Sequence, residues 1–151
     1  MDQVDSKILE LLQNHGRMSM VDLGKEVNMT QPAVKERVRK LEDKGIIENY
    51  QAVVSRKKLG KDTTAFILFQ ANNCNQFVEF CRQSPHVIDL YRISGQYNYL
   101  LKVATSSPES LETFSDSCNK YGRPTILMVL STRFEQKVML PEVLSNSNIH
   151  S

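Results

Sequence analysis

Apolar positions along the chain follow two rhythms. In the first third they recur every three or four residues: Val4, Ile8, Leu11 and Leu12, then Leu23 and Val27, then Val34, Val38 and Leu41. That is the helical period, and it predicts three short amphipathic helices. Beyond residue 62 the pattern shortens into runs rich in β-branched and aromatic residues. Thr63–Ala71, Val87–Ile93, Asn98–Ala104 and Thr125–Thr132 read as strands. Between them Cys74, Phe77, Val78 and Cys81 share one helix face, and Leu111, Phe114, Cys118 and Tyr121 share another. The order β-α-β-β-α-β is the ferredoxin-like arrangement, with both helices on one face of the sheet. The expected class is therefore α+β.

The helix ends are marked. Asp2 and Asp5 suit the positive end of the first helix, and Asn14-His15-Gly16 closes it. Ser19 and Asp22 make a capping-box pattern for the second helix. After the turn Asn28-Met29-Thr30, Thr30 can cap the third helix, Pro32 sits in its first turn, and Gly45 suits its left-handed end. Two short helices, a tight turn and a basic-faced helix spell helix-turn-helix. At 100° per residue, Gln31, Lys35 and Arg39 fall on one outer flank and Arg37 and Lys40 on the other, with Pro32 and Glu36 between. Thr30, Gln31, Lys35, Arg37, Arg39 and Lys40 are thus candidate DNA contacts. Lys35, Arg39 and Gln31 are placed to reach base edges or phosphates, and Arg37 and Lys40 to hold the backbone. For Arg37 a structural ion pair with Glu36 or Glu42 is the competing role.

Residues 46–54 read as an extended segment leading out of this domain, and residues 55–62, polar and basic with Gly60, as a hinge. The expected division is a DNA-binding domain over 1–54, a linker over 55–62, a second domain over 63–140 and a flexible tail over 141–151. Phe134–Leu140 could extend the sheet, and Ser145–Ser151 has the composition of disorder. Several strands are apolar on both faces: Phe66 and Leu68 oppose Ile67 and Phe69, and Ile126, Met128 and Leu130 oppose Leu127 and Val129. Two helices cover only one face, so the other is expected to bury itself against a second copy of the chain.

Composition changes this picture little. The formal net charge is +2, and the excess lies within the first 60 residues, where Lys35, Arg37, Arg39 and Lys40 cluster, with Arg56, Lys57 and Lys58 just beyond. The three cysteines contain no C-x-x-C pair and read as core residues of a reducing cytoplasm rather than metal or redox groups. No apolar run approaches the roughly 20 residues of a bilayer span and no leader precedes Asp2, so a cytoplasmic protein without membrane contact is expected. His15, His86 and His150 do not stand at metal-ligand spacing, and no phosphate loop or nucleophile motif occurs. Neither catalysis nor a metal or bound cofactor is expected.

Asp5-x-x-Ile8-Leu9, Arg17-x-Ser19-x-x-x-Leu23, Val34-x-x-Arg37-Val38-x-x-Leu41-Glu42-x-x-Gly45-Ile46-Ile47, Tyr50-x-Ala52 and Leu59-Gly60 together resemble the leucine-responsive/asparagine regulator (Lrp/AsnC) family over about residues 2–132. The spaced run from Val34 to Ile47 is its most specific part. The resemblance implies a (winged) helix-turn-helix domain followed by an effector and oligomerisation domain. It also implies a transcription factor that dimerises through the sheet face, often assembles into octamers, and binds amino acids between subunits. The family's effector-loop pattern Gly-x-x-Asp-Tyr stands here as Gly95-Gln96-Tyr97-Asn98-Tyr99. Gly95, Tyr97 and Asn98 are the implied effector contacts, with a plain turn glycine as the alternative for Gly95. Asn98 keeps an acceptor but loses the charge that pairs with an ammonium group, so weaker or altered amino-acid binding is expected. Two functions share this fold. One is sequence-specific regulation by a homodimer or octamer on double-stranded DNA, responding to an amino acid or related metabolite. The other is architectural DNA wrapping with little sequence preference and no effector. Binding in the presence of random competitor DNA separates them.

Overall fold

The computed structural model describes residues 1–142. The chain forms two compact units: residues 1–53 with 134–142, and residues 54–133.

The first unit holds α1 (Gln3–Asn14), α2 (Met20–Glu26) and α3 (Gln31–Asp43). The predicted stripes meet in one core, with Ile8, Leu23 and Val34 fully buried and Leu9, Leu12, Val38 and Leu41 nearly so. Each helix is capped by its own sequence. At α1 the capping box is reciprocal: Asp5 N–H donates to Asp2 Oδ1 at 2.8 Å and Asp2 N–H to Asp5 Oδ2 at 3.4 Å. At α2 it is not: Asp22 N–H donates to Ser19 Oγ at 3.1 Å, and that hydroxyl then donates to the Asp22 carboxylate at 2.9 Å. The Asp22 carboxylate there takes the Ser19 hydroxyl rather than the Ser19 N–H. α3 starts on Thr30 and ends at Gly45, whose φ of +68° lets Ile46 N–H turn back to Leu41 C=O at 2.9 Å.

The second unit holds β1 (Thr63–Ala71), α4 (Cys74–Gln83), β2 (Val87–Arg92), β3 (Tyr99–Thr105), α5 (Pro108–Cys118) and β4 (Gly122–Met128). The antiparallel sheet has the order β2-β3-β1-β4. One face, formed by Ala65, Ile67, Phe69, Tyr99, Leu101 and Val103, packs on Phe77, Cys81, Leu111, Phe114 and Cys118 of the helices. The Phe69 and Phe77 rings stack at 3.9 Å. Burial pushes the Cys81 and Cys118 thiols up to about 12, so both stay protonated core groups at neutral pH. The other face carries Phe66, Leu68, Leu100, Tyr91 and Leu127, joined across the ladders as Phe66–Leu127, Leu68–Leu100 and Tyr91–Leu100. Tyr91 is 53% and Leu127 48% exposed.

Residues 46–54 form no strand among the described residues, and Tyr50 there donates its hydroxyl to Glu42 at 2.7 Å. Two expectations fail. β4 ends at Met128 rather than Thr132, with Val129 N–H to Thr64 C=O, at 3.0 Å, as its last rung. Phe134–Leu140 does not extend the sheet. It lies with the three helices, where the Gln13 amide donates to Met139 C=O at 2.7 Å and accepts from Met139 N–H at 3.0 Å. The expected disorder of Ser145–Ser151 falls outside the described residues.

Candidate nucleic-acid interface and effector loop

The α2–α3 turn sets where α3 points. Asn28 takes a left-handed φ of 55°, and Met29 N–H bonds back to Gly24 C=O at 2.8 Å. The chain returns so closely over Gly24 that a Cβ there would lie 2.7 Å from Met29 C=O. Gly24 is a determinant the sequence reading passed over, since a glycine inside a helical period looks merely tolerated.

The six candidate DNA contacts do not form one equivalent set. Thr30 caps α3, its Oγ1 accepting from Ala33 N–H at 3.4 Å, which leaves the hydroxyl proton available to a ligand. Gln31 and Lys35 are exposed, and Lys35 makes no hydrogen bond or ion pair among the described residues. Arg39 lies outward but is engaged. It holds Glu36 through two bonds at 2.9 and 2.7 Å and also pairs with Asp43, and these carboxylates raise its pKa. Lys40 is exposed, with only a longer-range attraction to Glu36.

Arg37 turns the other way. It is the least exposed of the cations on α3 for which an ion pair forms, and it bridges to α1, donating to Asp2 at 2.7 Å and Asp5 at 2.9 Å. The anticipated structural pair exists, but with carboxylates 35 and 32 residues away rather than with Glu36 or Glu42. On the wheel Arg37 borders the apolar stripe, and sequence distance hid the acids that α1 brings to that border. Asp2 is held below the ordinary carboxylate value by the Asp5 N–H bond and by Arg37, and Arg37 is raised by both acids. Beside this pair, Asp5, Arg37, Lys40, Leu41 and Lys44 line a hollow of about 280 Å³. Lys44 was not among the sequence candidates, although its i,i+4 spacing from Lys40 marks it.

In the second unit Gly95 sits at the tip between β2 and β3 with φ +105°, a conformation that favours glycine, and a Cβ there would meet open space. Tyr97 is half-buried, its hydroxyl accepting a long bond of 3.5 Å from Thr125 Oγ1 on β4. Asn98 is committed to structure. Its Oδ1 accepts from Ala71 N–H at 2.8 Å and its Nδ2 donates to Ala71 C=O at 3.3 Å. The side-chain amide thus takes both backbone groups of Ala71, the last residue of β1. An aspartate at this position could accept the first bond but not donate the second.

No helix among the described residues is long and apolar enough to cross a membrane, and no group of three metal-ligating side chains occurs among them.

Comparison with known proteins matches residues 1–48 to winged helix-turn-helix DNA-binding domains and residues 64–139 to the Lrp/AsnC ligand-binding domain. The Bacillus subtilis protein YezC, an uncharacterised HTH-type transcriptional regulator, is 46% identical over 132 residues, covering 87% of this chain and 95% of its own. The HTH-type regulator LrpC of the same organism is 33% identical, covering 91% and 96%. The solved structure of B. subtilis LrpC superposes with a TM-score of 0.85 at 32% identity, over 91% of this chain and 99% of that one. A Neisseria meningitidis regulator solved with L-methionine shares the fold at 24% identity, with a TM-score of 0.86 over 92% and 96%. With both domains matched in order and the helix-turn-helix geometry in place, the chain belongs to the Lrp/AsnC family of DNA-binding transcriptional regulators.

Proposed function

We propose that the protein regulates transcription as a dimer that sets two copies of α3 into successive major grooves and adjusts that binding to a small metabolite. The observation that carries the reading is the outer face of α3, where a capped helix presents Gln31, Lys35 and Lys40 without hydrogen bonds or close ion pairs from their side chains among the described residues. A cation with no internal partner loses nothing when it meets a phosphate or a guanine edge. Lys35 and Gln31 are assigned to bases and phosphates, Lys40 and the Thr30 hydroxyl to the backbone. Arg39 must exchange Glu36 and Asp43 for DNA. Arg37 serves mainly to lock α1 onto α3.

Self-association is assigned to the uncovered sheet face. Phe66, Leu68, Leu100 and Leu127 there cost free energy in water at about 25 cal/mol per Å² of apolar area. The tip formed by Gly95 and Tyr97 is the proposed effector contact, and Asn98 shapes it through Ala71 rather than by touching the ligand. An amino acid or a related metabolite is the effector class that the matched ligand-binding domain supports. The protein then works by binding alone, without catalysis, in the cytoplasm.

Selection of bound DNA from a random pool, with and without small metabolites, tests the whole reading. A recovered palindromic motif with half-sites about 34 Å apart or a multiple of it is the expected result. Recovery of unselected DNA would instead favour an architectural role.

A further inference from the structure

The effector site proposed above has a charge balance that points to a particular ligand class. Four chain segments converge at one edge of the sheet: the end of β1, the end of β2 with the tip that follows it, the start of β3, and the start of β4. The ladders bring Phe69 opposite Tyr99 and Pro124, Ala71 opposite Gly122, and Arg92 opposite Tyr99. The residues at this edge are Gln70-Ala71-Asn72-Asn73, Arg92 through Asn98, and Asn119 through Thr125. They include Arg92, Lys120 and Arg123 and not one Asp or Glu; Arg92 pairs with Tyr99 on the face packed on the helices and Lys120 lies over the Tyr121 ring, so of these Arg123 is the cation of the uncovered face.

Arg123 lies opposite Gln70 and two residues from Thr125 on the same strand face, the face that α4 and α5 leave uncovered. It is exposed and makes no hydrogen bond or ion pair among the described residues. The Tyr97 hydroxyl reaches across to Thr125 and keeps its own proton to donate. In the tip itself the N–H groups of Gly95, Gln96 and Tyr97 have no partner among the described residues. Asn98, whose amide stands where a carboxylate would meet an ammonium, has its carbonyl oxygen on Ala71 N–H. Donors are thus plentiful at this edge, and an anionic acceptor is lacking.

A zwitterionic amino acid needs both. Its carboxylate would be satisfied, but its ammonium would be desolvated beside Arg123 without a compensating charge. From this we infer that the effector is a carboxylate lacking an α-ammonium group, of the 2-oxo acid class, held by Arg123, the Tyr97 hydroxyl and the N–H groups of the tip. The carboxylate meets the guanidinium in a charge-assisted pair, and the 2-oxo oxygen accepts a further donor. The inference rests on the effector reading of this tip.

The test is calorimetry of the full-length protein against matched pairs: leucine and 4-methyl-2-oxopentanoate, methionine and 4-methylthio-2-oxobutanoate, phenylalanine and phenylpyruvate. For at least one pair the 2-oxo acid should bind about tenfold tighter or more than its amino acid, as expected when one member must bury an unpaired charge. Arg123→Gln should weaken that ligand about tenfold and Tyr97→Phe severalfold. An amino acid that binds as tightly as its 2-oxo acid, or tighter, overturns the ligand class and leaves the effector reading standing. Binding of neither class, by protein that still binds its DNA, overturns both. A 2-oxo acid whose affinity Arg123→Gln does not alter places the site elsewhere and also overturns the inference.

Discussion

Each unit has one face that its own core does not use, and the two faces differ in kind. On α3 the spare face is charged: Lys35, Glu36, Arg39, Lys40 and Asp43 stand in water, some paired and some not. On the sheet its centre is apolar: Phe66, Leu68, Leu100, Tyr91 and Leu127 lie together, with Lys102 among them, its ammonium 5.8 Å from the Phe66 ring, and with Thr64, Gln70, Asp89, Arg123 and Thr125 around them. A solvated charge is nearly free to keep and yields its affinity only when a polyanion releases counterions from it. An exposed aliphatic patch is unfavourable continuously, so it is occupied whenever a partner is present. The contrast predicts a permanent association on one face and a salt-dependent, reversible one on the other.

The largest effect should come from polarising the apolar face. Leu127→Asp with Phe66→Asp is expected to convert the protein to a 17.3 kDa monomer at micromolar concentration, read by analytical ultracentrifugation. Its operator affinity should fall about 100-fold or more as the second half-site contact becomes bimolecular. An unchanged dimer would show that the two faces do not divide the work in this way.

Next in size is Asn98→Asp. The loss of the donor to Ala71 C=O and the approach of a carboxylate to that carbonyl should destabilise the protein by about 1–3 kcal/mol, measured by urea unfolding. Gain of affinity for an amino acid with no loss of stability would contradict the structural role.

On the charged face, Lys35→Ala should weaken operator binding by about 1–3 kcal/mol if it reads a base, or lower the slope of log K against log salt by about 1 if it touches a phosphate. Fluorescence anisotropy at several salt concentrations separates the two outcomes. The same substitution should leave the sedimentation coefficient alone, which sharpens the division between the faces.

The smallest expected effect concerns the link between α1 and α3. Asp2 has a folded pKa below its ordinary 3.8, chiefly through the Asp5 N–H and then Arg37. Its contribution is therefore complete above about pH 3.8 and is lost as the pH falls through the lower folded value. Melting temperature should drop more steeply below pH 4 in the wild type than in Asp2→Asn. Parallel curves would mean that the pair contributes nothing measurable.

Much of this protein was legible in its sequence because local rules dominate it. Helical periodicity placed Ile8, Val34 and Leu41 in one core, Thr30 and Gly45 marked the ends of α3, and the β-branched and aromatic run Thr63–Ala71 located a central strand. Each of these depends on residues within a few positions of one another, and on a backbone that must satisfy its own hydrogen bonds. What the sequence could not decide were pairings between groups far apart in the chain. For Arg37 the sequence leaves a DNA contact and a structural pair open, and only the fold shows that α1 brings Asp2 and Asp5 to it; for Asn98 only the fold shows that its amide bonds both backbone groups of Ala71. Phe134–Leu140 reads as a strand until Met139 meets Gln13. A hydrogen bond or ion pair is made with whatever group the fold brings within about 3 Å, and sequence separation carries no record of that distance. The sequence by itself therefore determined the elements, their order and the surfaces they turn to water; the tertiary structure decided which polar side chains on those surfaces were already spoken for.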